Sequence, residues 1–166
     1  MLKKNIFIVV LLLFWVRIQA QEDNSVFQFL KIPFSSHAAA LGGENISIIE
    51  DDLTMAVHNP ALLSCVADKT LNLNYMLYIA GVNAASAAFS RVAGERSTWA
   101  VTAQFVNYGT MKETTSENVI IGTFSAKDMA FSGIYSYDLS DYWSGGVKAN
   151  LIYSNYEKFS SFAIGV

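Results

Sequence analysis

Charge is what this chain has least of. Only 15% of its residues are Asp, Glu, Lys or Arg, where soluble domains carry about a quarter. Yet 52% are hydrophobic and 13% aromatic, and after residue 20 no apolar run reaches the roughly twenty residues that a membrane-crossing helix needs. A chain so poor in charge, and without spanning helices, must hide its apolar surface by alternation along β-strands, as a membrane barrel does. Cysteine is scarce too. Cys65 stands alone, so no internal disulfide can staple the fold. Within its Ala-Leu-Leu-Ser-Cys run it reads as a small buried hydrophobe, with modification or pairing to another chain as the alternative.

Side chains that carry chemistry are equally thin. His37 and His58 are the only histidines, and neither has a Cys, Asp or Glu at metal-site or triad spacing. Glu50, Asp51 and Asp52 lack the surrounding Asp-x-Asn-x-Asp-Gly pattern of a calcium loop and read as a solvated acidic turn. Ser64 and Ser125 lack nucleophile-elbow glycines. The sequence therefore predicts no catalytic residue, no cofactor and no metal.

What is present begins with an export signal over residues 1–20: basic Lys3 and Lys4, an apolar run from Ile6 to Val16, then a short polar stretch ending at Ala20. The apolar run is too short for a transmembrane anchor. Its removal would take Lys3, Lys4 and Arg17 from the eleven basic residues and leave eight against fourteen acidic ones. A net charge near −6 makes nucleic acid an unsuitable partner. Residues 21–69 show neither sustained alternation nor a long helical period. Small residues at Ala38–Gly43 and Asn59–Ala61 suit a compact, partly irregular segment with short helical or strand pieces, of the kind that plugs a barrel mouth. Within it, Asn59-Pro60-Ala61 is expected to fix a turn, because Pro60 restricts its own φ and the conformation of Asn59.

From residue 70 to 166 the period is two, giving about six strands. Leu71, Leu73, Tyr75 and Leu77 share a face opposite Thr70, Asn72 and Asn74. Val82 to Arg91 alternates least clearly. Trp99, Val101, Ala103 and Phe105 oppose Thr98, Ala100, Thr102 and Gln104; Met129, Phe131, Gly133, Tyr135 and Tyr137 oppose Ala130, Ser132 and Ser136. A turn is expected at Asp138–Asp141, then a strand with Trp143, Val147, Ala149, Leu151 and Tyr153 outward, a link at Asn155–Lys158, and a last strand from Phe159 to Val166. The longest connection, Tyr108–Lys127, has a charged and hydroxylated middle and is expected to be a soluble outer loop. Its Lys112, Glu113, Thr114 and Glu117 are the candidate contacts for a partner.

The soluble alternative, half of a β-sandwich, is disfavoured by the make-up of the second face. That face is Ser, Thr, Asn, Gln, Gly and Ala with hardly any Lys or Glu, unlike a solvent-facing surface. Aromatics also gather near strand ends, like the girdles of outer-membrane barrels. The expected fold is thus all-β, an antiparallel transmembrane β-barrel preceded by a short irregular or helical segment. About six strands fall short of the eight that the smallest single-chain barrels use, and an open edge in lipid leaves costly unpaired backbone groups. The chain is accordingly expected to be the N-terminal part of a longer protein, or else to pair with another.

From Val26 onward the chain resembles the PorQ family of the Bacteroidetes type IX secretion system. The resemblance rests on Phe29-Leu30-Lys31-Ile32-Pro33, Ser35-Ser36-His37-Ala38-Ala39-Ala40-Leu41-Gly42-Gly43, His58-Asn59-Pro60-Ala61-Leu62-Leu63, Val106-Asn107-Tyr108-Gly109, Gly122-Thr123-Phe124-Ser125-Ala126-Lys127-Asp128 and Tyr137-Asp138-Leu139-Ser140-Asp141, in that order along the chain. It implies a FadL-like barrel of about fourteen strands, with Asn59-Pro60-Ala61 in an N-terminal hatch. It also implies residence in the outer membrane among its lipids, and partners from the surface attachment complex, a PorZ-like protein and a sortase-like enzyme, which the barrel would anchor. The wider FadL-like resemblance carries an alternative: a channel for hydrophobic small molecules, with apolar lumen pockets expected near Ala38–Gly43.

Overall fold

The computed structural model describes residues 27–166, apart from 115, 117, 118, 157 and 158. The export signal expected over residues 1–20 and Glu117 of the expected outer loop lie outside the described residues. Six antiparallel strands follow one another as neighbours: β1 (Leu71–Leu77), β2 (Asn83–Val92), β3 (Ser97–Thr114), β4 (Ile120–Ser140), β5 (Trp143–Tyr156) and β6 (Phe159–Gly165). The all-β, antiparallel expectation holds. The sheet is open, with β1 and β6 each paired on one side only among the described residues.

The period-two pattern sorts the sheet into two unlike faces. On β4, Ala126, Asp128, Ala130, Ser132, Ile134 and Ser136 are buried, while Phe131, Tyr135 and Tyr137 between them are exposed. On β2 the weakly alternating stretch is a regular strand, because its inner positions Ala84, Ser86, Ala88 and Ser90 need only be small to be covered. The covering layer is the segment before β1. It contains no strand among its described residues, only 3-10 turns at Gln28–Lys31, Met55–Val57 and Pro60–Cys65 and one short helix, α1 (Ser36–Ala40). Phe34, Leu53, Val57, Leu63 and Val66 from this segment pack with Ala88, Ala100 and Ile134 of the sheet. Phe29 packs with Ala84, Val106, Ala130 and Ile152. The core therefore lies on the small and polar face. The greasy face is bare, with Leu73 69%, Leu77 75%, Val147 62% and Phe162 64% exposed.

Several expectations are corrected. Most of the expected loop Tyr108–Lys127 is strand, to Thr114 on one side and from Ile120 on the other. β3 and β4 continue past their outer neighbours as a two-stranded hairpin, with Met111 opposite Phe124, Lys112 opposite Thr123 and Glu113 opposite Gly122. The β-branched and aromatic residues Thr110, Ile120, Ile121, Thr123 and Phe124 carry the ladder through a stretch whose polarity suggests a loop. The turn expected at Asp138–Asp141 shrinks to Asp141–Tyr142, since β4 runs to Ser140 with an irregularity between Asp138 and Ser140. β5 likewise runs on to Tyr156, into the expected link. Cys65 is exposed, not buried, because the turn from Pro60 sends Leu62 and Leu63 inward and leaves Cys65 outside.

An irregularity at Asn107–Thr110, with Gly109 at φ 74°, sits where the hairpin leaves the sheet; a left-handed residue of this sort bends a ladder at little cost only as glycine. Asn107 faces Lys127 and Thr110 faces Ser125 across it. The outer face thus changes from Val101, Phe105, Met129 and Phe131 below the bulge to Lys127, Thr110, Ser125, Lys112 and Thr123 above it.

Candidate functional site: the seat of the N-terminal segment

An irregular segment with three 3-10 turns leaves many carbonyls without partners of its own. The inner face of the sheet supplies donors to four of the segment's carbonyls, of which Ala61 O also accepts from Ser64 Oγ at 3.2 Å. Ser86 Oγ donates to Phe34 O, Gln104 Nε2 to Ile32 O at 3.2 Å, Ser136 Oγ to Ala61 O at 3.4 Å and Lys148 Nζ to Val57 O at 2.9 Å. Each donor sits at an inward position of its strand, so register alone aims it at the segment. Sequence reading singled out none of these four as functional. The only signal was polar residues recurring at period two on a face that is mostly small and polar.

Asn59, Pro60 and Ala61 lie over β4 and β5 at one end of this seat, where Ser136 and Gly146 are paired. Pro60 opens its 3-10 turn at the position where a missing N–H costs nothing. Asn59 is extended, at φ −130° and ψ 98°, as a residue before proline prefers. Its Oδ1 accepts from Ala61 N at 3.2 Å and its Nδ2 donates to Ile46 O at 2.8 Å, which ties the turn to the preceding loop. Beneath the motif is Gly146 of β5. A Cβ there would fall 2.4 Å from the Pro60 carbonyl carbon and 2.6 Å from Ala61 N, so the turn lies flat on a position only glycine can fill.

A second tether holds α1. Ser35 caps it, its Oγ accepting from Ala38 N at 3.0 Å and donating to Thr54 Oγ1 at 2.9 Å. His37 Nδ1 meets Asp52 Oδ2 at 2.7 Å, with Glu50 Oε2 3.8 Å from Nε2. The hydrogen bond with Asp52 raises His37 above its ordinary value, and the neighbouring carboxylates add to it. Burial opposes ionisation of Asp52, but the bonds from His37 and from the Thr54 N–H and hydroxyl outweigh it and hold the carboxyl below the usual range. The expected solvated acidic turn is thus tied in: Asp51 Oδ1 also accepts from Ala67 N at 2.7 Å.

His58 differs from His37. Burial and the nearby Lys148 ammonium keep it below its ordinary value, against a smaller pull from Glu44, and its Nε2 is buried with no partner among the described residues. At the other end of the inner face, buried Asp128 accepts from both Tyr108 Oη at 2.8 Å and Tyr156 Oη at 3.0 Å.

Lys112, Glu113 and Thr114 are exposed at the end of β3, on the hairpin and away from the Asn59–Ala61 turn. The structure does not bring the two sets of sequence-singled residues together. Among the described residues no three His, Cys, Asp or Glu side chains gather as metal ligands, and no helix is long and apolar enough to cross a membrane. Comparison with protein-family models, with curated proteins and with solved structures finds no match to this chain.

Proposed function

We propose that the six strands form part of the wall of an outer-membrane β-barrel that anchors partner proteins of a type IX surface attachment complex. The observation that carries the membrane half of this reading is which face the protein covers. In a soluble sandwich the second layer packs on the greasy face; here it packs on the small and polar one. On the order of ten outward side chains, each worth about 1–2 kcal/mol at their exposure, leave roughly 10–20 kcal/mol of burial unclaimed in water. That rivals the whole stability of a domain, about 5–15 kcal/mol, so acyl chains or an equivalent cover are needed.

The dimensions agree. Trp143 to Tyr153 on the outer face of β5 spans about 33 Å of strand at roughly 3.3 Å per residue. Tilted by about 40°, that gives a band about 25 Å tall, the height of an outer-membrane barrel's apolar girdle. Aromatics mark its limits, Trp99, Tyr135, Tyr137 and Trp143 at one end and Tyr75 and Tyr153 at the other. Beyond the band the hairpin of β3 and β4 carries Lys112, Glu113 and Thr114 outward, where a partner at the cell surface would meet them. The family resemblance supports the PorZ-like and sortase-like identity of that partner. The test is fractionation of the full-length protein, followed by affinity recovery from detergent extracts. Outer-membrane residence with co-purifying surface proteins is expected; a monomer soluble without detergent removes the reading.

One observation favours the channel reading as a second. A groove of about 540 Å³ runs between the segment and β5, with Leu30, Ile46, Val57 and Pro60 among its apolar lining. It lies beside Glu44 rather than at the Ala38–Gly43 stretch expected from the sequence. Uptake of hydrophobic compounds that is unchanged on deleting the gene would remove this alternative.

A further inference from the structure

Behind the 3-10 turn at Met55–Val57 lies a cavity of about 50 Å³, between the N-terminal segment and the inner face of β3, β4 and β5. Its apolar wall is Ile32, Phe34 and Ala130; its polar wall is Thr102, Ser132, His58 and Lys148. Room of this size exceeds the roughly 10–15 Å³ that a single water requires. Two features of the polar wall stand out chemically. Lys148 offers three donors and spends one on Val57 O, and among the described residues it has no ion-pair partner. The buried Nε2 of His58 has no partner either. A half-buried ammonium without a counter-charge is costly, and the hydroxyl of Thr102 adds a donor beside the same space, whereas Ser132 spends its hydroxyl hydrogen on Asn150 Oδ1 at 2.7 Å. Glu44 lines the adjoining groove together with Lys148 and His58 and is not among the residues that line the cavity.

We infer that this cavity is a binding site for one compact monovalent anion, a halide or a small carboxylate, held by Lys148 with His58 and Thr102 around it. The anion would neutralise the ammonium where the segment meets the sheet and so lock the segment in its seat. The inference concerns the inner face alone and stands whatever covers the outer one.

The test uses the full chain folded in detergent, at constant ionic strength, with gluconate exchanged for chloride, bromide or formate. A saturable rise in unfolding midpoint is expected with the compact anions, of at least about 2 °C, which for a chain of this size corresponds to a several-fold excess of anion over its dissociation constant. Lys148→Met should abolish the dependence. Bromide and formate as separate arms distinguish a halide site from a carboxylate site. A midpoint that follows ionic strength but not anion identity overturns the inference, as does an unchanged titration in the variant. Should Lys148→Met fail to fold, crystals of the unaltered protein grown in bromide decide: an anomalous peak in contact with Lys148 Nζ upholds the site, and water alone there overturns it.

Discussion

Single residues at the seat carry separable consequences. Gly146→Ala places a methyl group against the Pro60–Ala61 backbone, and overpacking of this kind costs about 1–3 kcal/mol. The expected outcome is a strand framework that keeps its circular dichroism while residues 27–66 become more sensitive to protease. Asn59→Ala loses the cap and the Ile46 tie together, at a cost of about 1 kcal/mol, read as a lower denaturation midpoint. The His37–Asp52 pair sets a pH window. His37 is raised from 6.5, so its contribution is complete below 6.5 and fades as pH rises through the higher folded value. Asp52 is lowered from 3.8, so its contribution is present above 3.8 and fades as pH falls through the lower folded value. Hydrogen exchange in Ser36–Thr54 should therefore be slowest, relative to the sheet, between about pH 4 and 6.5, and should quicken as pH rises further and His37 loses its proton. Asp52→Asn should flatten that profile.

Among the elements, β3 and β4 are the most informative. Residues 110–114 and 120–125 pair only with one another among the described residues, so replacing 110–125 by a short turn should leave the six-stranded sheet folded while removing the proposed partner contact. Depth along the outer face supplies a sharper measurement. Val101→Lys, within the apolar band, should cost about 2–4 kcal/mol for folding into lipid, and Thr110→Lys, past the bulge, no more than about 1 kcal/mol. Equal costs at the two positions would place both in the same medium and sink the membrane reading. The strands themselves were legible because Leu71, Leu73, Tyr75 and Leu77, and Phe131, Tyr135 and Tyr137, keep to one face at period two, even though Met76 and Ile134 put apolar side chains on the other. The hairpin was not, because Lys112 and Glu113 look like loop residues until Thr123 and Gly122 are seen to pair with them. Cys65 misled for a related reason: its neighbours Leu62 and Leu63 are core, but the rotation of a 3-10 turn decides which of three adjacent residues points away.

At the scale of the molecule, the two faces of the sheet were readable from residue types, but the seat was not. Periodicity gives Ser86, Gln104, Ser136 and Lys148 an inward direction; it says nothing of the carbonyls of Phe34, Ile32, Ala61 and Val57 that receive them. Intact protein in detergent should shield the outer band from water-soluble labels while leaving the hairpin reactive, and a cysteine introduced at Leu73 or at Lys112 would report each. The four donors of the inner wall all grip main-chain oxygen, which every amino acid carries alike. Such a wall recognises the path of a polypeptide rather than its spelling. A foreign stretch with unrelated solvent-facing residues should be accepted there as long as its backbone follows the same course, and protease resistance of that graft would show it.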